Sequence, residues 1–303
     1  MIKRNSAIDN MRILCTYLVV LGHVMVFFVP GKSVIPFRED EIIEYMQYAL
    51  YTFHIPAFFF ISGMVYHNQS QFRAFFYSKV KRLLLPYVVT FFVFVMPTLM
   101  YMKLWRWQNL YEILWNQNSR HLWFLYTLAF ALIFVRMMDK IPLIIGFLFS
   151  IFIYYYGFKV FMMPFHFSGA LVYIYLGRLW KAEWKIPLKI IFPLFALSIV
   201  YLEDYPLVQA FLGIQLMYTI SHFIKIREQG QFDLYLFHAM IIYLIFYSVP
   251  QLTELPDFVV LLVVFFATLF LAKLLIIVKK YAIKYISKIY LSSTKIHFQE
   301  EAR

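Results

Sequence analysis

Charge is scarce in this sequence, and so are the residues that staple or punctuate a chain. Lys, Arg, Asp and Glu together make up 15% of the 303 residues, against about a quarter in an ordinary soluble domain. Apolar residues make up 63%, more than a water-soluble core of this length can hide. A soluble globular protein is thereby excluded. The single cysteine, Cys15, stands inside an apolar run, so no intrachain disulfide forms and the redox compartment is not legible. No Pro/Gly-rich linker, internal repeat or low-complexity tract divides the chain. Acids are few, 16 against 28 basic residues, for a net charge of +12. The basic residues sit in short clusters between long apolar runs, which marks the loops of a membrane protein and argues against a nucleic-acid-binding face.

What the sequence has instead is apolar length. A span needs about twenty apolar residues, and runs near 11–30, 44–66, 83–102, 121–138, 141–158, 165–180, 187–202, 205–224, 231–249 and 257–278 qualify as candidates. The first follows Lys3, Arg4 and Arg12 and resembles a signal peptide. It is long enough to cross, however, and Pro30-Gly31-Lys32 follows it rather than a small-x-small cleavage site, so it reads as an uncleaved first span. Placing the N-terminus inside puts Arg73, Lys79, Lys81, Arg82, Arg136, Lys140, Arg178 and Lys181 inside as well. Few basic residues then face out, among them Lys32, Arg38, Lys103, Arg106, Arg120 and Lys159. The expected fold is all-α: a polytopic transmembrane bundle of about ten helices with both termini cytoplasmic, in the cell membrane. Residues 1–280 form the membrane domain. Residues 281–303 read as a basic amphipathic tail lying on the anionic lipids of the inner leaflet. Around 101–126, Trp and Tyr cluster (Tyr101, Trp105, Trp107, Tyr111, Trp115, Trp123); this is either an interfacial aromatic belt or a platform on which sugars stack.

Ionisable side chains inside a span are costly and face the protein interior. His23 in the first span, His54 in the second and His238 in the ninth are of this kind, with Arg12 and Arg82 at cytoplasmic helix ends. Eleven residues separate Arg12 from His23, about 16 Å of helix and about three turns plus 20°, so the two share one face at different depths. His54 is expected at the depth of His23, and His238 somewhat nearer the cytoplasm. A ligand with an anionic head and a long thin arm fits such a face, and a coenzyme A thioester has that shape. The head would pair with the Arg12 fork, and the imidazole of His23 would take a proton from a hydroxyl. The alternative is structural: Arg12 as a charge anchor and the histidines as links between helices. Asp9 either orients Arg12 or caps the first helix. Cys15 reads as core, and aromatic packing is the simplest reading of Tyr126, Tyr173 and Tyr175.

The segment Ile8-Asp9-Asn10-Met11-Arg12 through Leu21-Gly22-His23 resembles the opening of the acyltransferase family 3 membrane proteins. Phe53-His54-Ile55-Pro56-Ala57-Phe58-Phe59-Phe60-Ile61-Ser62-Gly63 is similar to that family's second-helix motif, above all in its fucose 4-O-acetylase and adhesin-polysaccharide branch. Lys79-Val80-Lys81-Arg82 before Leu83-Leu84-Leu85-Pro86-Tyr87 resembles the basic motif opening the third helix. His121-Leu122-Trp123-Phe124-Leu125 and Leu234-Tyr235-Leu236-Phe237-His238 resemble two later landmarks. The resemblance implies O-acyl transfer, most simply of acetyl from acetyl-CoA, to a hydroxyl of a surface or lipid-linked glycan. It implies donor binding and catalysis by the Arg and His of the first helix, Arg12 and His23. The expected site adds His54 as a catalytic aid to His23, and Lys79 and Arg82 beside Arg12 on the donor phosphates. Acceptor contacts fall to Trp123 and His238; no metal and no nucleic acid is implied. Lys79 stands where relatives often carry Arg, and Asp233 stands where a Ser is common. A glycan export or flipping protein without transferase activity is the alternative.

Overall fold

The computed structural model describes residues 6–33, 37–67, 71–105, 107, 120–161, 165–181, 183–226 and 230–300. Lys3, Arg4, Arg106, Tyr111 and Trp115 of the sequence reading lie outside them. The described residues form helices and no strand. In chain order these are α1 (Ser6–Met25, extended by a 3-10 turn Val26–Phe28), α2 (Glu41–Tyr51), α3 (His54–Met64), α4 (Phe72–Tyr101), α5 (Trp123–Met137) and α6 (Leu143–Phe161). They continue with α7 (Phe165–Leu179), α8 (Leu188–Tyr201), α9 (Pro206–Ile220), α10 (Gln231–Ser248) and α11 (Asp257–Glu300). Four stretches, Ser6–Phe28, Phe72–Tyr101, Gln231–Ser248 and Asp257–Ala282, are long and apolar enough to cross a membrane by length and composition.

Two spans differ from the sequence reading. The run 44–66 is broken into α2 and α3. Thr52 Oγ1 donates to Ala49 O at 2.8 Å, a local bond that competes with the helix ladder. Pro56 then sits in the first turn of α3, where its missing N–H is tolerated. The third span begins at Phe72, earlier than 83, and continues through two π-helical turns, Val80–Leu84 and Phe91–Val95. Each lies just before a proline, Pro86 or Pro97, whose ring would clash with the carbonyl four residues back in a regular helix.

α1 is the axis of the bundle and packs against α2, α3, α9, α10 and α11. The outward helices α4 and α11 leave Val93, Phe266 and Phe270 exposed, as a lipid-facing surface requires. The most extensive helix pair is α3 with α7, and it depends on two glycines. A Cβ on Gly63 would lie 2.1 Å from Ile174 O, and one on Gly177 2.1 Å from Phe60 O. Without a hydrophobic drive between helices in lipid, such close backbone approach supplies the association energy.

Polar ties fix one end of the bundle. Asn10 Nδ2 donates to Ser221 O at 3.0 Å and also to Ile224 O, joining the start of α1 to the end of α9. Lys279 Nζ lies 2.5 Å from Asp233 Oδ1, joining α11 to the start of α10; this gives Asp233 a structural partner. Asp139, with a side chain only 5% exposed, takes Arg136 at 2.9 Å and Arg178 at 3.0 Å, and Tyr66 donates to it at 2.5 Å. That cluster ties the ends of α3, α5 and α7. α11 passes without a break from its apolar span into the basic tail.

Candidate active site

Four histidines converge near the C-terminal end of α1. His23 is on α1 itself, His54 is the first residue of α3, His121 immediately precedes α5, and His238 lies on α10. The His23 ring is 4.8 Å from His238 and 6.3 Å from His121, centre to centre. Tyr51 bridges to His54, at 6.4 Å from His23 and 4.7 Å from His54. His23 and His54 line one cavity of about 390 Å³ with Tyr51, His121, Trp123 and Tyr173. Its lining reaches Pro206, at the start of α9, so it lies toward the end of the bundle opposite Arg12.

Hydrogen bonds fix the tautomers. A carbonyl oxygen only accepts, so a ring nitrogen facing one carries the proton. His54 Nδ1 is 2.7 Å from Leu50 O and is therefore the donor of the neutral ring. Its Nε2 is buried with no hydrogen-bond partner among the described residues, an accepting lone pair in an apolar setting. His23 Nδ1 is 2.8 Å from Val19 O, which leaves His23 Nε2 as the basic nitrogen. His121 is reversed: Nε2 donates to Leu236 O at 2.9 Å.

A second cavity, of about 160 Å³, is lined by Arg12, Thr16, Ser62, Leu83, Gln231 and Phe232, with apolar side chains of α3 and α5. The Arg12 side chain is 40% exposed and sits 3.3 Å from Asp9 Oδ1, so the guanidinium is oriented by a neighbour and still open to a ligand. The two cavities share one residue, Tyr235. Its hydroxyl donates to the His121 carbonyl, and its ring packs on Phe124 at 5.7 Å. The Arg12 cavity and the His23 cavity therefore adjoin at Tyr235.

The structure thus brings Arg12 to one of these cavities and His23, His54 and Trp123 to the other. Lys79 lies instead over the Phe75 ring at 4.6 Å and Arg82 is exposed; neither lines the Arg12 cavity, although Leu83 does. His238 is fully buried and sits against His23 rather than in the cavity or nearer the Arg12 end. His121 was not singled out by charge or spacing; its only signal was the motif that also contains Trp123. Tyr173, expected in packing, is part of the cavity wall.

The family model for an acyltransferase domain matches residues 5–277. The chain belongs to acyltransferase family 3. The match covers every residue of both cavities, so the family supports acyltransferase activity in a membrane protein. No curated protein and no solved structure gives a significant match.

Proposed function

We propose that this family 3 protein is an O-acyltransferase that moves an acetyl group from acetyl-CoA to a hydroxyl of a cell-surface or lipid-linked glycan. The observation that carries the reading is the pair of cavities in series along α1, one holding Arg12 and the other His23, meeting at Tyr235. The charge pattern supports a cytoplasmic side for the Arg12 end and both termini, where acyl-CoA is found, and the proposed location is the plasma membrane. The narrow apolar cavity below Arg12 suits the thin pantetheine arm, and Arg12 suits the phosphates of the head. Arg82 and Lys79 lie beside that mouth and add attraction for an anionic donor.

The wider cavity would take the acceptor from the opposite side. Its aromatic wall, Tyr51, Trp123 and Tyr173, offers faces to a sugar ring. His23 Nε2 accepts the proton of the attacking hydroxyl as its oxygen bonds to the thioester carbonyl carbon; the C–S bond breaks and the proton passes to the departing thiolate. His54 lines the same cavity with its Nε2 buried and would support His23 from the cavity wall.

The test is mass analysis of surface glycan from cells with and without the gene. The reading expects unchanged polymer that has lost its O-acetyl groups. Loss of the polymer itself, with normal acetylation of what remains inside the cell, would instead mark an export or flipping protein.

A further inference from the structure

We propose that His238 is the positioning residue of His23: it is a second acceptor for the proton on Nδ1 and holds the ring plane. The inference rests on the acyl-transfer reading above, in which His23 is the base. His238 Nδ1 lies 2.8 Å from Tyr235 O and 3.2 Å from Leu234 O. Both are acceptors, so Nδ1 holds the hydrogen and Nε2 bears the lone pair. That lone pair lies 3.4 Å from His23 Nδ1, the nitrogen that also faces Val19 O at 2.8 Å.

His23 Nδ1–H is therefore shared between two acceptors on two different helices. Val19 O belongs to the same helix and accepts within one turn, so it sets the tautomer by itself but leaves the ring plane loosely held. The bond to α10 supplies the second point. The rings meet edge to face, at 77°, which turns the edge of one imidazole toward its neighbour.

A packing role alone does not call for this side chain. His238 is fully buried, and burying an imidazole without bonds is costly. An apolar ring would fill the space without that cost. Here both of its nitrogens belong to one chain of bonds that runs from the α10 backbone to His23. His121 flanks His238 on another side at 4.9 Å, and its Nε2 is already turned to Leu236 O.

During transfer the acceptor hydroxyl proton moves to His23 Nε2, giving an imidazolium whose Nδ1–H still donates to His238 Nε2. The proton on Nε2 then leaves with the thiolate of coenzyme A. His238 stays neutral throughout and moves no proton. Its contribution is to hold the plane of the His23 ring, part of the role that a carboxylate has in a hydrolytic triad.

The test uses the full chain in isolated membranes, radiolabelled acetyl-CoA as donor, and surface glycan extracted from cells lacking the gene as acceptor. His238→Phe keeps a ring and removes the acceptor; His238→Gln keeps a carbonyl oxygen that can face His23. Turnover of His238→Phe at saturating donor is expected to fall at least about tenfold with the KM for acetyl-CoA unchanged, and His238→Gln is expected to recover part of it. Wild-type turnover in His238→Phe overturns the proposal. So does an equal loss in both variants accompanied by a raised KM or by loss of inserted protein, which would mark packing alone. His23→Ala is run beside them: full activity there sinks the acyl-transfer reading itself, whereas an inactive His23→Ala beside an active His238→Phe sinks only the role of His238.

Discussion

The hydroxyl of Tyr235 donates to the backbone carbonyl of His121, and its ring is the wall common to the Arg12 cavity and the His23 cavity. A donor whose thioester is to reach His23 must pass this ring. Tyr235→Ala removes the wall and lets water of the outer cavity meet the thioester. The expected outcome is faster release of free coenzyme A from acetyl-CoA when no acceptor is present, read as thiol formation in membranes. Tyr235→Phe keeps the wall and loses one hydrogen bond, about 1 kcal/mol of stability, so its acceptor-independent release stays at the wild-type level. Equal release from both variants would show that the ring does not separate the cavities.

Arg12 is proposed to bind phosphate through its fork, and lysine cannot reproduce a bidentate contact. A charge-assisted hydrogen bond contributes about 1.5–3 kcal/mol, so Arg12→Lys is expected to raise the KM for acetyl-CoA roughly tenfold or more and to leave the KM for the glycan unchanged. Asp9→Asn is milder, because a part-exposed pair is worth about 1 kcal/mol or less. Steady-state rates with donor and acceptor varied separately distinguish this from an anchoring role, in which protein insertion changes and neither KM does.

The α3–α7 contact depends on Gly63, where a Cβ would meet the Ile174 carbonyl oxygen at 2.1 Å. Gly63→Ala forces the backbones apart and is expected to cost about 1–3 kcal/mol, lowering the thermal midpoint of the detergent-solubilised protein. Gly169 is on α7 as well, but its Cβ would make only ordinary contacts, the nearest at 3.7 Å. Gly169→Ala should therefore melt with the wild type. Equal midpoints for the two variants would contradict the packing account.

Much of the frame is legible in the sequence, because apolar length and loop charge are local properties. The spacing of Arg12 and His23 on α1 needs nothing beyond the helix repeat. The break at Thr52 and Phe53 was not legible, since no glycine or proline interrupts the run there and Pro56 lies inside the second piece. Nor was the meeting of His23 with His238 against His121. Helices apolar on every side show little contrast between faces, so periodicity does not say which side of α10 turns toward α1. Asp139 was missed for a similar reason: it is a lone acid in a short loop, and its partners Tyr66 and Arg178 are distant in sequence.

The central claim is that His23 is the base for acyl transfer to a glycan hydroxyl. The most direct measurement is transfer of label from radiolabelled acetyl-CoA to surface glycan by membranes carrying wild-type protein or His23→Ala at equal inserted amounts. General-base catalysis contributes about 10²- to 10⁴-fold. The account predicts that the variant loses transfer by that order while acetyl-CoA still binds at the Arg12 end. Transfer at the wild-type rate by His23→Ala would contradict it.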